Sequence, residues 1–139
     1  MKEIIELNQL WTDIYYQLRY NQQEKITHQA VRILQVIQKE IAVGIKEVAQ
    51  AIGVSHNTAS EHIKRLIEKK YVMKTRSHED ERQVVLKLTD LGSGVLHRHS
   101  SLDEEKLELL FEKMSPGERE LILQAFTLLR EKAKDVSDH

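Results

Sequence analysis

Cysteine is absent from the 139 residues, which excludes disulfides, thiolate metal sites and cysteine redox switching. Proline occurs once and glycine five times. A chain so poor in helix breakers, and rich in Leu, Ile, Glu, Lys and Gln, is expected to be largely helical. No apolar run approaches the roughly 20 residues of a membrane span, and the opening MKEIIELNQLW sets acids among its apolar residues, unlike a secretory leader. The expectation is a soluble, cytoplasmic protein with no membrane partner. Charge of one sign is also lacking: the formal net charge is −1 and the isoelectric point about 6.7, so the total gives no support for a polyanionic partner. No Walker loop, dinucleotide fingerprint, nucleophile elbow or His-Glu-x-x-His occurs, so neither an enzyme nor a cofactor is expected. The length suits one domain with a real core.

What is present centres on residues 45–88, IKEVAQAIGVSHNTASEHIKRLIEKKYVMKTRSHEDERQVVLKL. Ile45, Val48, Ala49 and Ile52 recur at helical spacing, and Gly53 ends that helix where a left-handed residue is easiest. Ser55 is placed as N-cap of a second helix running to Lys69, with Ala59, Ile63, Leu66 and Ile67 on one side. Small Ala49 and Ala59 allow two helices to cross steeply over a short turn. The opposite side carries His56, Asn57, Thr58, Ser60, Glu61, Lys64 and Arg65, a set rich in groups that donate to base edges or phosphates. A charged hairpin follows, Tyr71 to Met73 leading in and Gln83 to Leu88 leading out, across the Arg76–Arg82 tip. Between Lys64 and Lys87 the balance is positive, whereas the C-terminal third is acidic. Lys70 directly follows the second helix, where similarity to the family named below implies a glycine and hence a left-handed backbone.

AQAIGVSHNTASEHIKRLIEKKYV, followed by Arg76, by Asp80-Glu81-Arg82 and by LKLTDLG, resembles the DNA-binding core of the MarR (multiple-antibiotic-resistance regulator) family. The hairpin with Asp-x-Arg and the Leu-Thr-x-x-Gly helix start is the more specific part. The resemblance implies a mainly α fold with a small β wing: a winged helix-turn-helix DNA-binding lobe over 28–89, plus a helical dimerisation region over 1–24 and 90–136 of one 1–139 domain. It also implies a single short strand at Ile41–Val43 that pairs with the wing. Ser55, His56, Asn57, Thr58, Ser60, Lys64 and Arg65 would then face DNA, with Arg76 on backbone and Arg82 in a minor groove, held by Asp80. The implied function is a homodimeric regulator, usually a repressor, of an inverted repeat in duplex DNA, relieved by a small-molecule effector. Trp11, Tyr15, Tyr20 and His28 are the residues proposed for that effector.

Departures from the pattern are informative. Glu61 stands where members of that family often carry a basic residue, and a carboxylate there repels phosphates unless it accepts from cytosine N4 or neutralises Lys64 or Arg65. A winged-helix module that binds protein instead of DNA is therefore the main alternative. His97 and His99, with Asp103, offer zinc ligands and hence a zinc-responsive regulator, although i and i+2 side chains on a helix diverge. No metal site is assigned.

Outside the motif, residues 3–22 read as a first helix with a wide apolar seam of Ile4, Leu7, Trp11, Ile14 and Leu18, and Thr27 as N-cap of a helix from His28 to about Glu40. Thr89 should cap a helix from Asp90 to Met114, with Val95, Leu102 and Leu109 seven apart. Ser115-Pro116-Gly117-Glu118 is a capping-box start for the last helix.

Overall fold

A computed structural model describes residues 1–21 and 23–137, with the order α1 (Lys2–Leu18), α2 (His28–Lys39), α3 (Ile45–Ile52), α4 (His56–Glu68), β1 (Val72–Arg76), β2 (Val84–Leu88), α5 (Asp90–Ser100), α6 (Glu104–Glu112) and α7 (Pro116–Val136). The chain is mainly α with one antiparallel hairpin, in register Val72↔Leu88 through Arg76↔Val84. No helix among the described residues is long and apolar enough to cross a membrane.

The chain divides into two compact units. Arg19–Ser101 carries the winged helix-turn-helix, a wider unit than the 28–89 expected. The reason is packing. α5 lies against α2 and β2, and Val95 and Leu96 join Ile33, Leu34, Val48, Ile63 and Val72 in one buried cluster. Burying such side chains contributes about 1.5–3 kcal/mol each, the main stabilising term of the unit.

The helix starts follow local chemistry. Thr27 accepts from the Ala30 N–H at 3.0 Å, Thr89 from Gly92 at 3.0 Å and Ser115 from Glu118 at 3.1 Å. The Glu118 carboxylate takes the Ser115 N–H in return, which holds its pKa below the usual range. The Leu-Thr-x-x-Gly start has a packing reason as well. The Thr89 hydroxyl donates to the Lys70 carbonyl, and a Cβ at Gly92 would fall 2.0 Å from the Tyr71 carbonyl oxygen. Only glycine lets α5 begin that close to β1.

The other unit comprises Met1–Leu18 with the described part of Leu102–His139. α1, α6 and α7 contain no buried residue. Leu7, Leu10, Trp11, Phe126, Leu128 and Leu129 are all exposed, and α1 and α7 line a shared apolar groove.

Three expectations are corrected. α1 ends at Leu18, not at residue 22, where the Leu18 carbonyl accepts from the Asp103 N–H at 2.7 Å. The helix expected over Asp90–Met114 is two, because Ser101 is extended and Asp103 caps a new helix through the Glu105 N–H at 3.0 Å. Ile41–Val43 forms no strand; the Val43 carbonyl accepts a single bond, from the Leu86 N–H at 2.7 Å.

Candidate nucleic-acid interface

Gly53, at φ 70° and ψ 39°, closes α3, and the Val54 N–H bonds back to the Ala49 carbonyl at 3.1 Å. This turn sets the angle between α3 and α4. Ala49 and Ala59 are both buried, as a close crossing requires. Ser55 then caps α4: its hydroxyl accepts from the Thr58 N–H at 3.1 Å and donates to the Thr58 hydroxyl at 3.0 Å. Both side chains stay exposed at the positive end of the helix, where phosphate oxygens bind well.

His56, Asn57, Thr58, Glu61, Lys64 and Arg65 are exposed on α4, opposite buried Ala59, Ile63 and Leu66. Ser60 departs from the expectation, being half-buried at the edge of that face. Among the described residues Glu61 pairs with neither Lys64 nor Arg65. Arg65 instead turns toward His62, with Nη2 3.1 Å from Nδ1. A guanidinium only donates, so Nδ1 is the acceptor in this contact. Lys64 and Arg65 are thus left without a carboxylate partner among the described residues.

The hairpin tip is organised by its own bonds. Ser77 donates to the Gln83 carbonyl and Gln83 to the Asp80 carbonyl, both at 2.9 Å. Asp80 Oδ1 takes the Arg82 N–H at 3.0 Å and lies 3.5 Å from Arg82 Nε. The Arg82 side chain is 94% exposed, so the aspartate orients an arginine that nothing covers. Arg76 spans the tip to the Glu81 carbonyl at 3.4 Å. Glu79 and Glu81 are exposed.

A family model described as Transcriptional regulator SarA/Rot matches residues 16–98, more than half of the chain. The chain belongs to the SarA/Rot family of transcriptional regulators. Among curated relatives, the regulator SarZ of Staphylococcus aureus (strain USA300) is 27% identical over 101 residues, covering 73% of this chain and 66% of its own length. SarZ of Staphylococcus epidermidis is 25% identical over 85 residues, covering 61% and 57%. The match therefore spans less than two thirds of these relatives.

Solved structures share the fold at low identity. Streptococcus pneumoniae FabT in complex with DNA superposes with a TM-score of 0.62 at 23% identity, over 98% of this chain and 99% of that one. S. aureus MepR bound to ethidium bromide gives 0.59 at 20%, over 81% and 82%. A MarR/EmrR family regulator from Acinetobacter gives 0.51 at 22%, over 97% and 96%. The SarA/Rot chain thus shares the winged helix-turn-helix fold of these structures, the fold that its sequence resemblance implies.

The remaining candidates fall into separate places. Trp11 and Tyr15 stack on α1 with ring centroids 6.5 Å apart. Tyr20 belongs to the Arg19–Ser101 unit, and its hydroxyl lies 3.0 Å from His97 Nε2. His28 is exposed in the first turn of α2. The zinc constellation is not assembled. The helix that would have carried it breaks at Ser101, Asp103 caps α6, and His97 Nδ1 faces the Ser101 hydroxyl at 3.2 Å. Among the described residues no group of three or more His, Cys, Asp or Glu could hold a metal ion.

The sequence reading missed Glu24 and Lys25, which precede α2. Glu24 accepts from Arg98 Nε at 2.8 Å and from Nη2, tying that segment to α5. Only the acidic residue itself was visible beforehand; its partner lies far along the chain.

Proposed function

We propose that the protein is a homodimeric regulator that binds an inverted repeat in duplex DNA and represses transcription until a small molecule binds it. One observation carries the DNA reading: α4 presents Lys64 and Arg65 free of carboxylates, and the wing presents Arg82 oriented by Asp80. A cationic helix and a pre-set arginine suit a major groove and a flanking narrow minor groove. Ser55, His56, Asn57, Thr58 and Ser60 would work beside them, with Arg76 on backbone. Two copies would set their α4 helices about 34 Å apart, one turn of B-DNA. The exposed apolar faces of α1 and α7 support pairing, because monomers rarely leave large contiguous apolar patches in water. In this reading 1–24 and 90–136 serve dimerisation, apart from α5, which also packs in the DNA-binding unit.

Relief by an effector requires a ligand that prefers a form with wrongly spaced reading helices. A coupling of roughly 1–3 kcal/mol suffices for a 5- to 150-fold loss of DNA affinity. Trp11, Tyr15, Tyr20 and His28 remain the proposed effector residues.

The test is selection of duplexes from a random pool, followed by affinity measurements across a salt series. A dimer contacting six or more phosphates should lose about a thousand-fold in affinity between 50 and 200 mM salt. Failure to select any duplex would favour a protein-binding winged helix, consistent with exposed Glu61.

A further inference from the structure

Three side chains on α4 stand at helical spacing from Arg65 and compete for its guanidinium. Glu61, one turn earlier, is exposed as Arg65 is, and a carboxylate placed before a cation is the favourable order for a helical ion pair. Glu68, one turn later, has the reverse and weaker order. Arg65 nevertheless turns to His62, with Nη2 3.1 Å from Nδ1, and no ion pair joins it to either glutamate among the described residues. That choice has a chemical condition. A guanidinium brings only donors, so the contact exists while Nδ1 carries no proton; a charged imidazole is a donor at both nitrogens.

The surroundings sharpen the condition. His62 is half-buried in a recess to which α4 also brings Arg65 and Lys69, the segment before α2 brings Lys25, and α2 brings apolar Ala30. No Asp or Glu lines it. α3 and β1 also pack on α4, whose buried residues are Ala59, Ile63 and Leu66, and neither brings a charged group into bonding distance of His62 among the described residues. A proton on the ring would therefore add positive charge among Lys25, Arg65 and Lys69 with no carboxylate beside it, and the guanidinium would be driven off.

We propose that His62 is a positioning residue for Arg65: while its Nδ1 is unprotonated it keeps the guanidinium off Glu61 and open to DNA, and once protonated it releases Arg65 to Glu61. Duplex recognition then weakens as pH falls. The contact stands by itself; its consequence for recognition rests on the DNA reading above. The direction opposes the general effect of acid. Protonating exposed histidines such as His56 and His78 adds positive charge and by itself favours a polyanion.

In nitrogen-15 spectra of the full chain without DNA, the Arg65 side-chain signals should move between about pH 8 and about pH 5.5, where histidine changes charge. They should stay nearly fixed in His62→Asn, whose Oδ1 stands where Nδ1 does and accepts throughout. A pH-independent Arg65 in the parent, or the same movement in His62→Asn, overturns the contact. Affinity for a selected duplex is then measured at both ends of that interval at one salt concentration. At the alkaline end the parent and His62→Asn should bind alike, and His62→Leu, which cannot accept, about two- to ten-fold more weakly, the cost of ordering one long side chain. At the acid end the parent should fall toward His62→Leu while His62→Asn does not, and Glu61→Gln should shrink that fall. A parent that follows His62→Asn at both ends overturns the positioning role, and an undiminished fall in Glu61→Gln overturns Glu61 as the group that receives Arg65. Absence of any duplex binding, with Arg65 still following His62, refutes the DNA reading and leaves the contact standing.

Discussion

Asp80 holds Arg82 at two points, taking its backbone N–H at 3.0 Å and standing 3.5 Å from its Nε. The pair is exposed, so its worth to folding is small, about 0–1 kcal/mol at most. Its worth lies in ordering a long side chain before a partner arrives, a cost of about 0.5–1.5 kcal/mol per immobilised side chain. Asp80→Ala should therefore weaken duplex binding about two- to ten-fold with an unchanged melting temperature. Arg82→Ala should cost more, and Asp80→Ala should add nothing in its background. Strictly additive losses in that double-mutant cycle would sever the link between the two residues.

Lys70 adopts φ 66°, the one non-glycine residue at positive φ among those described. Its N–H closes the end of α4 on the Ile67 carbonyl at 2.9 Å, so the conformation is imposed by the helix end. A left-handed backbone costs an ordinary residue about 1–2 kcal/mol, while glycine adds about 0.4–1 kcal/mol of unfolded-state entropy. The balance favours Lys70→Gly by about 0.5–1 kcal/mol. Urea denaturation should show a higher midpoint at constant slope; a lower midpoint would mean that Lys70 makes a contact worth more than its strain.

Gly92 and Gly117 should respond oppositely to the same change. A Cβ at Gly92 would meet Tyr71 backbone, at 2.0 Å from its oxygen and 2.8 Å from its carbon. That oxygen already accepts from the Thr89 N–H at 3.1 Å, so it cannot retreat without cost. Gly92→Ala should destabilise by about 1–3 kcal/mol or more. Gly117 lies in the first turn of α7 with its nearest neighbour 3.9 Å away, so Gly117→Ala should stabilise by up to about 1 kcal/mol. Thermal melts of the two variants decide; destabilisation by both would point to something other than the Tyr71 contact.

The features legible in the sequence were those whose cause is local. Gly53 and Lys70 mark helix ends by position, and Thr89 and Ser115 mark starts by an oxygen that reaches three residues ahead. The break at Ser101 was hidden because Val95, Leu102 and Leu109 keep a seven-residue spacing across it, and the bond between Leu18 and Asp103 that accompanies it is long-range. Glu61 illustrates the same limit within one helix. Spacing allowed an ion pair with Arg65, but His62 competes for the guanidinium.

Glu24 should give the protein an acid-sensitive term. The Arg98 hydrogen bond lowers its pKa below the ordinary 4.5, outweighing the burial that opposes it. A depressed folded-state carboxylate contributes stability that is present above the unfolded pKa and lost as pH falls through the folded value. The loss therefore belongs below about pH 4.5. His99 Nε2 lies 3.9 Å from Glu24 Oε2, and neither atom has a hydrogen-bond partner. Glu24→Gln should cost about 1 kcal/mol at neutral pH and flatten the decline between pH 5 and 3. Urea midpoints measured at both ends check this, and parallel curves for variant and parent would remove Glu24 from the acid response.

Leu128 tests whether the exposed apolar surface is an interface between copies. It lies 61% exposed on α7, in the groove shared with Leu7, Trp11 and Phe126. A stable homodimer needs about 800 Å² of such surface from each partner, and a carboxylate placed in it would be desolvated without a counter-ion. Leu128→Glu should yield monomers in sedimentation. The buried cluster from Ile33 to Leu96 does not include any residue of α1, α6 or α7, so the winged-helix unit should melt normally. Each monomer would then engage a half-site alone, and losing the linked second contact should reduce operator affinity about 10²- to 10⁴-fold. Monomers that retained full affinity would show that one reading helix and one wing suffice, and the inverted repeat would have no part in recognition.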